Sequence, residues 1–165
     1  MRKLMRSLLA ISFFIFALCG CESSPSFNIQ TDFCVNAQVM QNDLTYNCVV
    51  ERLSATDLSV KIESDDNTNG LKYHYVNDTL YIEYEGLKCI ANTDYLKSDC
   101  AVSLLYNVMC ELENLSSYPS EIEDKVCVYT MKTEKVNALL SVDKNSGGIL
   151  SVQFPDSACT VDFST

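Results

Sequence analysis

From Phe33 onward the apolar positions recur at every second residue. Phe33, Val35, Ala37 and Val39 alternate with Cys34, Asn36 and Gln38, the pattern of a strand with one buried face. Gln41-Asn42-Asp43-Leu44 then supplies a two-residue hairpin turn, because Asn and Asp tolerate positive φ. The return strand alternates through Leu44, Tyr46, Cys48 and Val50. With Asn42 and Asp43 as the loop, Val39 opposes Tyr46, Ala37 opposes Cys48 and Val35 opposes Val50. Every apolar side chain then lands on one face, as a correct register requires. Cys34 and Cys48 fall on opposite faces, so this register predicts that they are not bonded to each other. A third strand follows at 57–63, with Leu58, Val60 and Ile62 inward. Residues 71–76 and 79–85 form a second hairpin around Asn77-Asp78. It sets Tyr73 against Ile82, Tyr75 against Leu80 and Leu71 against Tyr84 on the inner face, and Lys72 against Glu83 on the outer one. Gly86 interrupts the strand and reads as a bulge or a close backbone approach, after which residues 87–90 continue.

Near Ser98 the period changes. Ala101, Leu104, Leu105, Val108 and Leu112 follow at helical spacing, with Ser98 as the N-cap and Asp99 in the first turn. These predict a helix at about 99–114, ended by the segment around Pro119. Strands return at 125–132, 134–143, 149–154 and 159–163. One helix between two runs of antiparallel strands, without βαβ alternation, predicts a mainly β (α+β) fold. The expected architecture is a curved antiparallel sheet or unclosed β-barrel, with the inserted helix on its concave face.

The N-terminal segment follows neither period. Arg2, Lys3 and Arg6 precede an apolar run from Leu8 to Leu18, too short to span a bilayer, which needs roughly 20 apolar residues. Positive start, short apolar middle and small residue at the cut read as a secretory signal. Leu18-Cys19-Gly20-Cys21 resembles a bacterial lipobox, which implies cleavage after Gly20 and a diacylglycerol lipid on Cys21. The expected organisation is a signal peptide at 1–20, a lipidated cysteine and short tether at 21–29, and a single domain at 30–165. Location follows: a lipid anchor at the cell membrane, on the extracytoplasmic side, with the domain held close to the bilayer. Phe27-Asn28-Ile29-Gln30 is expected to begin docking on the body. Removing residues 1–20 takes away those three bases and no acid, so the net charge goes from −10 to −13. A body that acidic is not expected to bind nucleic acid or anionic headgroups through charge.

Seven cysteines remain in the mature chain besides Cys21. They can form disulfides outside the cytoplasm or stay reduced as small hydrophobes in an anaerobe, and the odd count leaves at least one unpaired within the chain. None stands in C-x-x-C spacing, and His74 is the single histidine, so no zinc site is expected. His74 falls on the outward face beside Tyr81 and reads as a surface residue. Glu83 and Glu85 share that face in this register and read as solvated carboxylates, not an acid–base pair. No nucleophile elbow, phosphate loop or metalloprotease helix occurs, and no enzyme is expected. Asp65, Asn67 and Asn69, followed by Gly70, are spaced like the first half of a calcium loop. Val76 stands where a bidentate Glu belongs, so the stretch reads as an Asx-rich connection. The sequons at Asn77 and Asn114 are taken as chance matches.

Two further segments carry a resemblance. Tyr81-Ile82-Glu83-Tyr84-Glu85-Gly86-Leu87, and the closing run Ser141-Val142-Asp143, Gly148-Ile149-Leu150, Phe154-Pro155 and Val161-Asp162-Phe163, accompany the lipobox and the inserted helix. Together they resemble the small LolA/LolB-like lipoproteins of Firmicutes. That resemblance implies an unclosed antiparallel β-barrel plugged by a helix, which in the family holds acyl chains or senses envelope components. The family's N-terminal helix is reduced here to the residues around Phe27–Gln30, and no cargo-gripping residue is carried over. The expected function is a non-enzymatic lipoprotein binding a hydrophobic ligand, lipid or lipopeptide. Val60, Ile62, Tyr73, Tyr75, Ile82 and Tyr84 line the cavity in this reading, and no cofactor is needed beyond the anchor on Cys21. The alternative is an extracytoplasmic interaction or sensor module that contacts an envelope protein.

Overall fold

The structure is a computed structural model that describes residues 28–91, 96–115 and 119–164. The signal segment, Cys21 and the tether before Asn28 lie outside the described residues. The first run of strands is β1 (Phe33–Gln41), β2 (Leu44–Ser54), β3 (Asp57–Glu63), β4 (Lys72–Val76), β5 (Thr79–Tyr84) and β6 (Leu87–Ala91). Helix α1 (Ala101–Glu111) follows and runs into a short 3-10 turn, Leu112–Asn114. The second run is β7 (Glu121–Glu123), β8 (Val126–Lys132), β9 (Asn137–Asp143), β10 (Ile149–Phe154) and β11 (Cys159–Phe163).

All eleven strands form one antiparallel sheet in the order β6-β5-β4-β3-β2-β1-β11-β10-β9-β8-β7. The two meanders meet where β1 pairs with β11, and β6 and β7 remain as edges, so the sheet is not closed into a barrel. Hairpin chemistry sets this order. Asn42 joins β1 to β2 at φ 53°, and Asn77-Asp78 joins β4 to β5 at 48° and 62°, as tight turns between twisted strands require. The β1–β2 register pairs Val39 with Tyr46, Ala37 with Cys48 and Val35 with Val50, as the alternation predicts. Cys34 is exposed and Cys48 buried, and all seven cysteines from Cys34 on are free thiols. Tyr73 pairs with Ile82, Tyr75 with Leu80 and Lys72 with Glu83.

Three local expectations are corrected. Glu85 and Gly86, at φ 48° and 81°, form a turn and not a bulge, and β6 folds back onto β5 with Leu87 opposite Tyr84. Glu85 therefore leaves the outward face that Glu83 occupies. The strand expected from 134 begins at Asn137, because Thr133 Oγ1 accepts from Lys135 and Val136 and closes a turn. The helix starts at Ala101 rather than at Asp99, and Ser98 does not cap it.

The helix packs its apolar stripe against the inner face of the sheet. Ala101, Leu104, Leu105, Val108 and Leu112 are buried in one cluster with Ala37, Val39, Val50, Leu58, Val60 and Leu80 from the first meander. Val152, Phe154 and Val161 join from the second. Arg52 sits inside this core, fully buried. It continues the inward series of β2 after Val50, the same alternation leaves Leu53 outward, and the register with β3 shifts between Arg52 and Ser54. The guanidinium donates to Met109 O from Nε at 3.2 Å and from Nη2 at 3.0 Å, and to Thr31 O from Nη1 at 2.6 Å. Glu113 Oε1 lies 3.4 Å away and Asp32 Oδ1 3.8 Å. One cation thus meets the carbonyl end of α1 and ties it to the segment entering β1.

That entering segment does dock. Gln30 N donates to Gly147 O at 2.8 Å, and Ile29 packs against the core. Gly147 is required at this crossing: its φ is +72°, and an added Cβ would lie 2.0 Å from Asn28 O.

Candidate functional site

The apolar inner face is wider than one helix can cover. At the N-terminal end of α1 the uncovered part becomes a cleft of about 620 Å³. Its apolar lining comes from Leu44 and Tyr46 of β2, Ile62 of β3, Leu71 and Tyr73 of the second hairpin, Leu96, and Ala101 and Val102 of the helix. Gln41, Thr45, Asn47, Glu63, Ser64, Asp65, Asp66, Thr68 and Cys100 complete the wall. Burial pushes the Tyr46 and Tyr73 phenols above their usual range, so both stay protonated at neutral pH.

Two local devices shape the opening. Gln41, the last residue of β1, reaches the helix start: its Nε2 donates to Asp99 O at 2.5 Å and its Oε1 accepts from Ala101 N at 3.2 Å. A side chain distant in sequence thereby does the N-cap work expected of Ser98. The loop after β3 is held by Ile62 N donating to Leu71 O and Gly70 N to Ile62 O, at 2.8 and 2.9 Å. Within it, Asp66 Oδ1 accepts from Ser64 Oγ at 2.6 Å, Thr68 N at 2.8 Å and Thr68 Oγ1 at 2.5 Å. These donors lower the Asp66 pKa to about 2. A depressed carboxylate helps order its loop above its unfolded pKa, and that help is lost as pH falls through about 2. Asp66, between the residues of calcium-like spacing, is the one that organises the turn. Asn67 contributes its carbonyl to Tyr84 Oη at 2.8 Å. Among the described residues no group of three or more His, Cys, Asp or Glu is placed to hold a metal ion.

Of the six residues read as cavity-lining, Ile62 and Tyr73 line the cleft. Val60 is buried beneath the helix, 1 % exposed. Tyr75 stacks on Tyr106 of α1 with ring centroids 4.1 Å apart, at the edge of a second, more polar cleft of about 500 Å³ that includes Asp78 and Ser103. Tyr106 Oη donates to Asp78 Oδ1 at 2.9 Å and accepts from Asp78 N at 3.2 Å, fastening the helix to the β4–β5 turn. Ile82 and Tyr84 are half-buried on the same inner face. Through the Ile82–Cys89 and Tyr84–Leu87 pairs, that face continues to the open edge at β6.

On the outer face His74 pairs with Tyr81, ring centroids 6.3 Å apart. Its Nε2 lies 3.0 Å from Asp57 Oδ1 and its Nδ1 3.8 Å from Glu83 Oε1. Glu83 is engaged by Lys88 at 2.7 Å, which holds its carboxyl below the usual range. These groups form a cross-strand charge ladder on the outer face.

Gln41, Leu96 and Arg52 escaped the sequence reading. For Arg52 a signal existed, since it stands two residues beyond Val50 in the inward series. For Gln41 and Leu96 none did, because their roles arise from chain segments brought together only in the fold.

No helix among the described residues is long and apolar enough to cross a membrane. No family model matches the sequence, and no curated protein matches it. The crystal structure of a LolA superfamily protein from Nitrosomonas europaea is similar over 85 % of this chain and 87 % of that chain, with 12 % identity and a TM-score of 0.44. A likeness of that degree establishes neither family membership nor a ligand.

Proposed function

We propose that this chain is a non-enzymatic lipoprotein, anchored to the cell membrane through Cys21, whose half-barrel binds a hydrophobic ligand. The cleft at the start of α1 carries this reading. Its volume of about 620 Å³ falls in the roughly 300–1,000 Å³ range of small-molecule sites, and its lining is mostly apolar with polar groups at the wall. Among the described residues the lining carries carboxylates and the Cys100 thiol but no Lys, Arg or His to work with them, which supports binding rather than turnover.

Native mass spectrometry of the protein carrying Cys21→Ser, with and without added dodecanol, tests the ligand. A one-to-one complex is expected, weakened about tenfold in Leu71→Glu, which places a charge in the lining. Absence of any complex would sink this reading. The anchor has its own readout: the mature wild-type protein carries a covalent lipid mass that Cys21→Ser lacks.

The alternative, an interaction or sensor module, draws support from β6, where Leu87 is 77 % and Ile90 71 % exposed on a sheet edge. Cross-linking in cells that recovers one envelope protein through β6, with the cleft unable to bind dodecanol, would favour it.

A further inference from the structure

Three acidic residues, Glu63, Asp65 and Asp66, line the cleft, and no Lys, Arg or His does so among the described residues. We propose that the cleft selects single-chain amphiphiles whose head is cationic, an amine or quaternary ammonium on an acyl chain. This deepens the reading of the cleft as a hydrophobic-ligand site and rests on it.

Charge complementarity argues for that head. An apolar tail against Ile62, Leu71 and Val102 leaves its head at the carboxylate wall, where an anionic group meets like charges and an ammonium meets opposite ones. Asp66 reinforces this, because its three donors keep it ionised well below neutral pH. Tyr46 and Tyr73 line the same cleft, and aromatic faces are the other surface that quaternary ammonium groups prefer.

The competing influence is the N-terminus of α1, which would attract an anion. Its first amide is already taken, since Ala101 N donates to Gln41 Oε1 at 3.2 Å. Three carboxylates therefore outweigh a helix end whose first amide is engaged. The net charge of the chain, −10, acts in the same direction. With the chain anchored through Cys21 as proposed, the same wall would disfavour the anionic phospholipids of the surrounding bilayer.

Isothermal titration of the full chain with dodecyltrimethylammonium, dodecyl maltoside and dodecyl phosphate, each below its micelle concentration, separates tail from head. The ammonium probe is expected to bind about tenfold more tightly than the maltoside, and the phosphate most weakly, as a few part-exposed ion pairs allow. The double variant Glu63→Gln/Asp65→Asn should bring the ammonium and maltoside affinities within about threefold, with its circular dichroism and thermal unfolding matching those of the wild type. Phosphate binding as tight as ammonium, or an ammonium preference undiminished in the double variant, would overturn the head-group assignment while the hydrophobic site stands. Failure of all three probes to bind would remove the site itself.

Discussion

Arg52 concentrates more of the fold's polar chemistry than any other residue. A guanidinium removed from water must recover the hydrogen bonds it loses, and this one does so through two bonds to Met109 O and one to Thr31 O. The arrangement joins three segments that the chain visits at different times: the entry to β1, the bulged end of β2 and the last turn of α1. Arg52→Met keeps most of the apolar volume but strands the buried Met109 carbonyl and the part-buried Thr31 carbonyl. Unfolding by denaturant should show a loss of about 3 kcal/mol, the order expected for leaving buried acceptors without donors. Arg52→Lys should recover only part of it, because an ammonium is a point charge and cannot reproduce the planar fork that reaches both carbonyls. A loss below about 0.5 kcal/mol in Arg52→Met would mean the carbonyls find water instead.

At the scale of elements, strands and turns were legible wherever a side chain's direction follows from its neighbours in sequence. Period two places Ile62 and Tyr73 on the inner face, and the Asn77-Asp78 pair announces its own turn. The Glu85-Gly86 turn was missed because Glu is a poor resident of the left-handed region, costing about 1 kcal/mol there, and the β5–β6 pairing imposes it. The helix was legible in its buried stripe and illegible at its start. Ser98 has the right chemistry for a cap, yet Gln41 provides the bonds from the far side of the cleft. The same distinction separates the legible floor of the cleft from its illegible wall, which depends on the β3–β4 loop meeting the helix start. Gln41→Ala should therefore destabilise the protein by about 1 kcal/mol, and Ser98→Ala by less than about 0.3. Thermal unfolding of the two variants in parallel decides between them; a larger effect at Ser98 would return the cap to its local position.

For the whole molecule, leaving a barrel open creates two sheet edges, and the two are not equally protected. β7 is three residues long and places Glu121 and Glu123 on either side of Ile122. Short length and flanking charge are the usual means of preventing edge-to-edge pairing. β6 is five residues long, with Lys88 its sole charge and Leu87 and Ile90 exposed. A lipid anchor would concentrate such chains in the plane of a membrane, where an unguarded edge is most exposed to a second copy. The net charge of −10 opposes association, and salt screens that repulsion more effectively than it weakens main-chain pairing. Light scattering at increasing ionic strength should therefore reveal association that Ile90→Lys suppresses and Ile122→Lys leaves unchanged. Equal suppression by both substitutions would show that general charge, and not the β6 edge, governs how these molecules meet.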